Sequence, residues 1–290
     1  MGILNICKVP GMSSHAVVAT VRRIIGVKRV GHTGTLDPSA CGVLVICLER
    51  ATKLADYIAT GPKTYRAEFT FGVSTDSVDV EGAVTRVVDA SHLRESEVIA
   101  AIHPLTGSIL QRPPAHSAVQ VGGRRSYDMV RRGEEVELPL REVTVFAFTP
   151  VHFQPGRHPR LLVDITCSKG TYIRSLARDL GEALAVGATM TFLARTEVGG
   201  CRLDAAITLE ELAALGTVGE AASVLQSPDA ALRYLPAWDL PSTTPAHWHG
   251  TALPDAVSPG LYRVYQQRRF LGLGRCEDGT LRSVVNLFPL

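Results

Sequence analysis

The chain contains 290 residues, of which 46% are hydrophobic and 20% are charged, a composition that excludes a disordered or collagen-like protein. Its 30 lysines and arginines against 28 aspartates and glutamates give a net charge of only +2, which by itself favours no class of partner. The charge is unevenly distributed, because residues 1–36 contain five basic residues and no acidic one, and Asp37 is the first carboxylate of the chain.

Several classes of site and location lack their sequence signals. The six cysteines include no C-x-x-C pair, and neither a P-loop nor a glycine-rich dinucleotide motif is present. No apolar stretch is long enough to cross a bilayer, and no basic segment precedes an apolar one as in a secretory signal. We therefore expect a cytoplasmic protein that inserts into no membrane and uses neither a metal nor a nucleotide cofactor.

The N-terminal part predicts a strand, a basic helix, a loop and a second strand. The apolar run 3–9 predicts the first strand, which a Pro-Gly turn ends. Ser13 or Ser14 can cap the helix, whose apolar positions recur at helical spacing up to a glycine. Residues 31–42 form a polar, glycine-rich loop, and the continuous apolar run 43–48 predicts a strand buried on both faces.

The middle of the chain mixes strands with helices. Residues 64–71 alternate as a sheet strand does, and residues 143–153 and 161–167 predict two long antiparallel strands. Helices are predicted around 95–103 and, with an amphipathic pattern, over 171–184. Because the elements do not alternate strictly as βαβ units, the pattern predicts an α+β fold.

Two further regions differ in composition from the rest. An insertion over residues 112–141 is rich in proline, glycine and arginine, and charge becomes sparse near residues 216–230. Short strands bounded by turns are predicted beyond that point, over 260–266, 270–274 and 282–286. The C-terminal segment therefore has the pattern of a small β-rich module.

Two segments contain residues suited to chemistry. The loop 31–42 has three glycines that let its backbone approach another molecule, and Asp37 at its centre precedes a proline. An ordinary turn is the alternative. Segment 168–178 opens a helix whose first N–H groups, together with Lys169 and Arg174, suit a phosphate, although a solvated helix face is the alternative. The residues alone thus indicate only a possible nucleic-acid cleft.

Three long segments occur in order along the chain: GHTGTLDPSACGVLVICLERATKL, KTYRAEFTFGVSTDSVDVEG and CSKGTYIRSLARDLGEAL. They resemble, in the same order, the three motifs of the TruB-type tRNA pseudouridine synthases, which modify uridine 55 in the T loop. The resemblance also includes PGMSS, the insertion and GATMTFLART, and so extends over about the first 200 residues. The C-terminal module is less similar to the small RNA-binding PUA domain of that family.

The resemblance implies a fold and a reaction. The fold is a mixed, mainly antiparallel sheet with flanking helices in a catalytic domain, residues 1–225, followed by a PUA-like domain, residues 226–290. The insertion 112–141 is similar to the family's thumb loop. The reaction is the isomerisation of uridine to pseudouridine in the T loop of tRNA, without a cofactor, by what we expect to be a monomer.

The resemblance also implies roles for residues. Asp37 matches the catalytic aspartate, which either attacks the sugar or removes its C2′ proton, and Arg174 matches the cation that keeps it ionised. Tyr65 matches a tyrosine that stacks on a flipped-out base, although its alternating strand alone indicates a core or cross-strand residue. Tyr172 and Leu193 match further substrate-binding positions, although core packing is the alternative for Leu193. His32 matches a histidine that helps to hold the flipped T-loop arrangement, for which a solvated loop histidine is the alternative.

Basic residues near these motifs suit contact with the RNA backbone, for which a solvated surface is the alternative. They are Arg22, Arg23, Lys28, Arg29, Arg124, Arg125, Arg131, Arg132 and Lys169. RNA recognition is expected to depend on shape and splayed bases.

Four positions depart from the family pattern. His116 replaces a tyrosine, Gln120 a lysine, Ser77 a threonine and Ala194 a basic residue, and these departures bear on the contacts of the insertion and on RNA affinity, not on the reaction. Two other functions remain open. A tRNA-binding or folding module would use the same basic surface without catalysis, and a glycosidase-like hydrolase would need a second carboxylate near the first.

Overall fold

A computed structural model describes residues 2–117, 119–121, 123–126, 129, 132–134, 136, 138–215, 221–244, 248–253 and 257–288. Arg131, predicted to contact RNA, lies outside these residues. The side chains of Gln120 and Arg125 are likewise outside the described part of the chain. None of the described helices is long and apolar enough to cross a membrane.

The described helices are α1 (Ser14–Ile25), α2 (Ala55–Thr60), α3 (Glu95–Ile102), α4 (Ile173–Ala183) and α5 (Leu209–Ala214). Short 3-10 helices cover Glu49–Leu54, His103–Leu105, Leu203–Ala205, Ala222–Val224 and Pro228–Leu232. The strands of the first half are β1 (Gly2–Lys8), β2 (Val30–His32), β3 (Cys41–Leu48), β4 (Lys63–Phe71), β5 (Val73–Thr75), β6 (Val84–Val87), β7 (Gly107–Gln111), β8 (Gln120–Val121) and β9 (Arg124–Arg125). Those of the second half are β10 (Arg141–Gln154), β11 (Arg160–Cys167), β12 (Ala188–Val198), β13 (Cys201–Arg202), β14 (Ala237–Leu240), β15 (Thr251–Ala252), β16 (Gly260–Gln266), β17 (Arg269–Glu277) and β18 (Thr280–Asn286).

The chain divides into two compact units. The first comprises Met1–Pro38, Gly42–Gly61 and Glu197–Leu290, and the second comprises Ser39–Cys41 and Pro62–Thr196. The domain boundary expected after residue 225 stays a prediction.

In the first unit, β1 runs antiparallel to β3, and β2 pairs with the end of β3. The apolar run of β3 is buried on both faces, as predicted. Leu4 and Ile6 pack with Val17 of α1, whereas Ile3 packs with Leu54 in a separate cluster. The two clusters hold β1 and β3 between them and so support the loop that joins β2 to β3.

Helix α1 begins and ends at strong local signals. The Ser13 hydroxyl accepts a hydrogen bond from the Ala16 N–H at 3.1 Å, which caps the first turn. Gly26 ends the helix in the left-handed conformation at a φ of 71°, where glycine pays no steric penalty. The sequence therefore predicted both ends of this helix.

The C-terminal part of the first unit is β-rich, as predicted. Its strands are ordered β14-β16-β17-β18-β15, with β14 parallel to β16 and the other pairs antiparallel. Trp248, Val264 and Leu281 lie in the core of this sheet.

In the second unit the strands are ordered β12-β4-β11-β10-β7. The pairs β4–β11, β11–β10 and β10–β7 are antiparallel, which confirms the mainly antiparallel sheet of an α+β fold. Helix α4 buries Leu176, Ala177 and Leu180 on the apolar face that the sequence predicted.

Candidate active site

The backbone before Asp37 is held by a serine of α1. The Ser14 hydroxyl accepts a hydrogen bond from the Leu36 N–H at 2.9 Å and donates one to the Leu36 carbonyl at 3.2 Å. Both Ser14 and Leu36 are buried. One hydroxyl therefore satisfies both backbone groups of the residue next to Asp37.

The backbone after Asp37 is held as firmly. The Pro38 carbonyl accepts hydrogen bonds from Lys8 Nζ at 3.0 Å and from the Gly11 N–H at 2.9 Å. Lys8 is fully buried at the end of β1. Asp37 itself is partly exposed, so two anchored neighbours present its side chain at the surface of the first unit.

His32 lies at the start of the same loop. It is partly exposed, its Nδ1 accepts a hydrogen bond from the Gly34 N–H at 3.2 Å, and its ring meets the edge of His15 at 5.3 Å between centroids. The ring is therefore oriented within the loop.

The predicted basic surface of the first unit is exposed. The side chains of Arg22 and Arg23 occupy the last turn of α1, where positive charge is favoured by the helix dipole. Lys28 and Arg29 follow in the turn before β2 and are also exposed. These four cations are accessible to a polyanion.

Arg174 lies in the first turn of α4, and its side chain is held by Asp79 and Ser77. It is only 6% exposed, and its Nη1 lies 3.2 Å from Asp79 Oδ2 and donates to the Ser77 carbonyl at 3.1 Å. Asp79 is also buried and accepts hydrogen bonds from the Ser77 hydroxyl and the Glu81 N–H. The guanidinium is thus fixed by a buried ion pair within the second unit.

Asp79 was not among the predicted site residues, although its acidic loop belongs to the second motif. Ser77, which replaces the family's threonine, retains the hydroxyl that donates to Asp79. This departure therefore leaves the hydrogen-bonding group in place.

Tyr65 and Leu193 lie on neighbouring strands. Tyr65 is partly exposed and occupies every second position of β4 together with the buried Ala67 and Phe69, so it shares their face of the sheet. Leu193, on β12, is buried, and its carbonyl accepts a hydrogen bond from Cys41 Sγ at 3.6 Å.

Two buried cations on the same strands were missed by the sequence analysis. Lys63 is 6% exposed and Arg195 is 2% exposed. Burial, followed by the positive charge of Arg195, lowers the pKa of Lys63 to about 8. Lys63 is two positions from Tyr65 on β4 and Arg195 is two positions from Leu193 on β12, so each cation shares its strand's face with the predicted site residue beside it. The predicted cation Lys169 is exposed in the loop before α4.

The described part of the insertion contains an exposed ion pair. Arg124 binds Glu134 through two hydrogen bonds of 2.9 Å, and Arg132 is exposed. His116 is partly exposed. In the part of the chain that the structure describes, no group of three or more His, Cys, Asp or Glu residues could hold a metal ion.

Solved structures with a similar fold include one described as a Cbf5-Nop10-Gar1 complex. Its matching chain has a TM-score of 0.76, is 25% identical, and the match covers 99% of this chain and 85% of that one. An H/ACA RNP bound to a substrate RNA containing 2′-deoxyuridine gives the same TM-score at 24% identity, over 99% of this chain and 85% of that one. This second likeness concerns the fold alone.

Curated relatives named tRNA pseudouridine synthase B are considerably more similar. The relative from Moorella thermoacetica is 46% identical over 98% of this chain and 97% of its own length. That from Acaryochloris marina is 43% identical over 99% of both chains. That from Symbiobacterium thermophilum is 53% identical over 73% of this chain and 71% of its own.

Family models cover most of the sequence. Residues 22–173 match the N-terminal domain of the TruB family pseudouridylate synthases, and residues 174–233 match the tRNA pseudouridylate synthase B C-terminal domain. Residues 240–285 match the C-terminal model of pseudouridine synthase II TruB. With these matches and the relatives above, the chain belongs to the TruB family of pseudouridine synthases.

Proposed function

We propose that this protein isomerises uridine to pseudouridine at position 55 in the T loop of tRNA, with Asp37 as the catalytic carboxylate. The observation that carries the proposal is the fixed backbone on both sides of Asp37, bonded at Leu36 and at Pro38. A catalytic group has to be held in a productive geometry, and this loop meets that requirement in a family of pseudouridine synthases.

The reaction breaks the bond between uracil N1 and ribose C1′, rotates the base, and forms a bond from C1′ to C5. N1 gains a proton and C5 loses one, so the reaction needs no oxidant or reductant. In its ionised form Asp37 either attacks C1′ or removes the C2′ proton. Both routes require the partly exposed carboxylate to reach the ribose.

The other proposed site residues bind the substrate. The target base must leave its stack, which costs a few kcal/mol, and stacking on an aromatic ring such as Tyr65 returns about 1–3 kcal/mol. Arg174 supplies a positive charge whose position Asp79 fixes. His32, Tyr172 and Leu193 are the other residues proposed to bind the substrate.

RNA-backbone binding is assigned to the basic residues. The exposed basic residues of the first unit are the favoured contacts, because their charges are accessible to phosphates. Each phosphate contact releases a counterion, which strengthens binding at low salt. Their proposed partner is the T stem-loop. The proposal includes a monomeric enzyme in the cytoplasm, and sedimentation equilibrium tests the monomer.

The decisive experiment measures tritium release from tRNA labelled at C5 of uridine. The wild-type protein is expected to release tritium, and Asp37→Asn is expected to release none while still binding tRNA in a filter assay. Asp56→Asn, an exposed aspartate at the start of α2, is the matched control and should match the wild type. Full activity of Asp37→Asn would show the catalytic assignment to be wrong, and a wild-type protein that refolds tRNA without releasing tritium would indicate an RNA-binding module.

A further inference from the structure

A buried glutamine at the end of β7 pairs with the backbone of Tyr172. Gln111 is 1% exposed. The Tyr172 N–H donates to Gln111 Oε1 at 2.8 Å, and Gln111 Nε2 donates to the Tyr172 carbonyl at 3.1 Å. The side-chain amide therefore pairs with Tyr172 as a neighbouring strand would, by one bond in each direction.

The next residue extends this connection along α4. The Arg112 carbonyl accepts hydrogen bonds from the Ser175 hydroxyl at 2.8 Å and from Arg178 Nη2 at 2.9 Å. Ser175 is fully buried, so its bond is shielded from water. The first residue of the insertion is thus bonded to the first two turns of the helix.

The contacts at Gln111 fix the start of α4 where the helix cannot fix itself. The first N–H groups of a helix have no partner within it, and Tyr172, in the N-cap position, makes no side-chain capping bond. Its carbonyl accepts from the Leu176 N–H at 3.2 Å, so the Gln111 pair acts on the residue where the helical hydrogen bonds begin. Asp79 and Ser77 hold the guanidinium of Arg174, whereas Gln111 holds the backbone of Tyr172, just before Arg174 in the chain.

We propose that Gln111 is a positioning residue for the isomerisation. It holds Tyr172 and the first turn of α4 so that Tyr172 and Arg174 are in place before the substrate binds. Gln111 also immediately precedes the insertion 112–141 and pairs with Arg141 on the neighbouring strand. The same residue therefore connects both ends of the insertion to Tyr172. This role rests on the proposed function, and it acts through Tyr172 rather than by contact with the reacting atoms.

The test separates catalysis from binding. Gln111→Met keeps a similar volume and removes both hydrogen bonds to Tyr172. With enzyme in excess over labelled tRNA, we expect the single-turnover rate of tritium release to fall about ten- to a hundredfold, since small displacements of catalytic groups have effects of that size. The Kd for tRNA should stay within about threefold, because the exposed cations are unchanged.

Gln154→Met is the matched control. Gln154 is an exposed glutamine in the same unit. It accepts a hydrogen bond from Arg160, which is not one of the proposed site residues. Its variant should retain the wild-type rate. A second variant, Gln111→Leu, removes both hydrogen bonds to Tyr172 with a different apolar side chain, and it should also be slow.

Amide hydrogen exchange gives a readout that is independent of the reaction. We expect Gln111→Met to speed exchange at the Tyr172 amide, whose acceptor is lost, and Gln154→Met to leave it unchanged. A wild-type rate in either Gln111 variant, a loss of rate matched by an equal loss of affinity, or unchanged exchange at Tyr172 would overturn the positioning role. A wild-type protein that releases no tritium would instead overturn the proposed function on which it rests.

Discussion

The loop that carries Asp37 and the start of α4 that carries Arg174 are held by different kinds of contact. In the loop, Ser14 and Lys8 bond to the backbone of Leu36 and Pro38, while the side chain of Asp37 is partly exposed. In α4 the functional group itself is buried and paired. The first arrangement fixes the backbone from which the Asp37 carboxylate extends, and the second fixes the position of the charged Arg174 guanidinium itself.

The two kinds of contact differ in how much stability their loss costs. Removing a backbone contact beside Asp37 leaves a buried N–H or carbonyl without its partner, which costs about 1–3 kcal/mol. Removing Asp79 breaks a buried ion pair with Arg174, and breaking such a pair costs about 3–5 kcal/mol. The two regions should therefore respond to substitution by different amounts, and the following variants test this.

The largest effect is expected for Asp79→Ala. The variant breaks the buried ion pair between Asp79 and the 6%-exposed Arg174, and its free energy of unfolding should fall by about 3–5 kcal/mol. Urea denaturation of the wild type and the variant measures the difference.

Asp164→Ala is the matched control, because it removes the carboxylate of another Arg–Asp pair in the same unit. Asp164 pairs with Arg66 at 2.7 Å, but their side chains are 37% and 47% exposed, so the loss should be about 0–1 kcal/mol. Equal losses in the two variants would contradict the view that burial makes the Arg174 pair critical.

A smaller effect is expected for Ser14→Ala. It removes both hydrogen bonds to Leu36, and we expect the free energy of unfolding to fall by about 2 kcal/mol. Tritium release should also become slower, while the affinity for tRNA stays unchanged. Single-turnover rates and urea denaturation measure the two effects.

The neighbouring Ser13→Ala serves as its control. The Ser13 hydroxyl caps α1 by accepting from the Ala16 N–H, a bond within the helix, so its loss should cost about 1 kcal/mol of stability and leave the rate unchanged. If Ser13→Ala slowed the reaction as much as Ser14→Ala, the loop anchor would have no specific role.

The same comparison explains what the sequence could predict. Ser13 as a cap, the buried run of β3 and the apolar face of α4 are local patterns, and each was confirmed. The anchors are not local: Gln111 and Tyr172 are 61 residues apart, and Arg174 and Ser77 are 97 apart. Periodicity carries no information on which distant polar groups meet, so Asp79 and Gln111 became visible only in the fold.

Among the three anchoring residues Asp79, Ser14 and Ser77, the smallest effect is expected at Ser77, where the charge of Arg174 is held less directly. Ser77→Ala removes one donor to Asp79, yet the Glu81 N–H and Arg174 still bind that carboxylate. We expect a loss of about 1.5 kcal/mol, the lower end for a hydrogen bond to a charged group. Ser77→Thr, which restores the residue of the family motif and keeps the hydroxyl, should be nearly neutral in urea denaturation. A larger loss for Ser77→Thr than for Ser77→Ala would mean that the shape of this buried site, and not the donated hydrogen bond, is what holds Asp79 against Arg174.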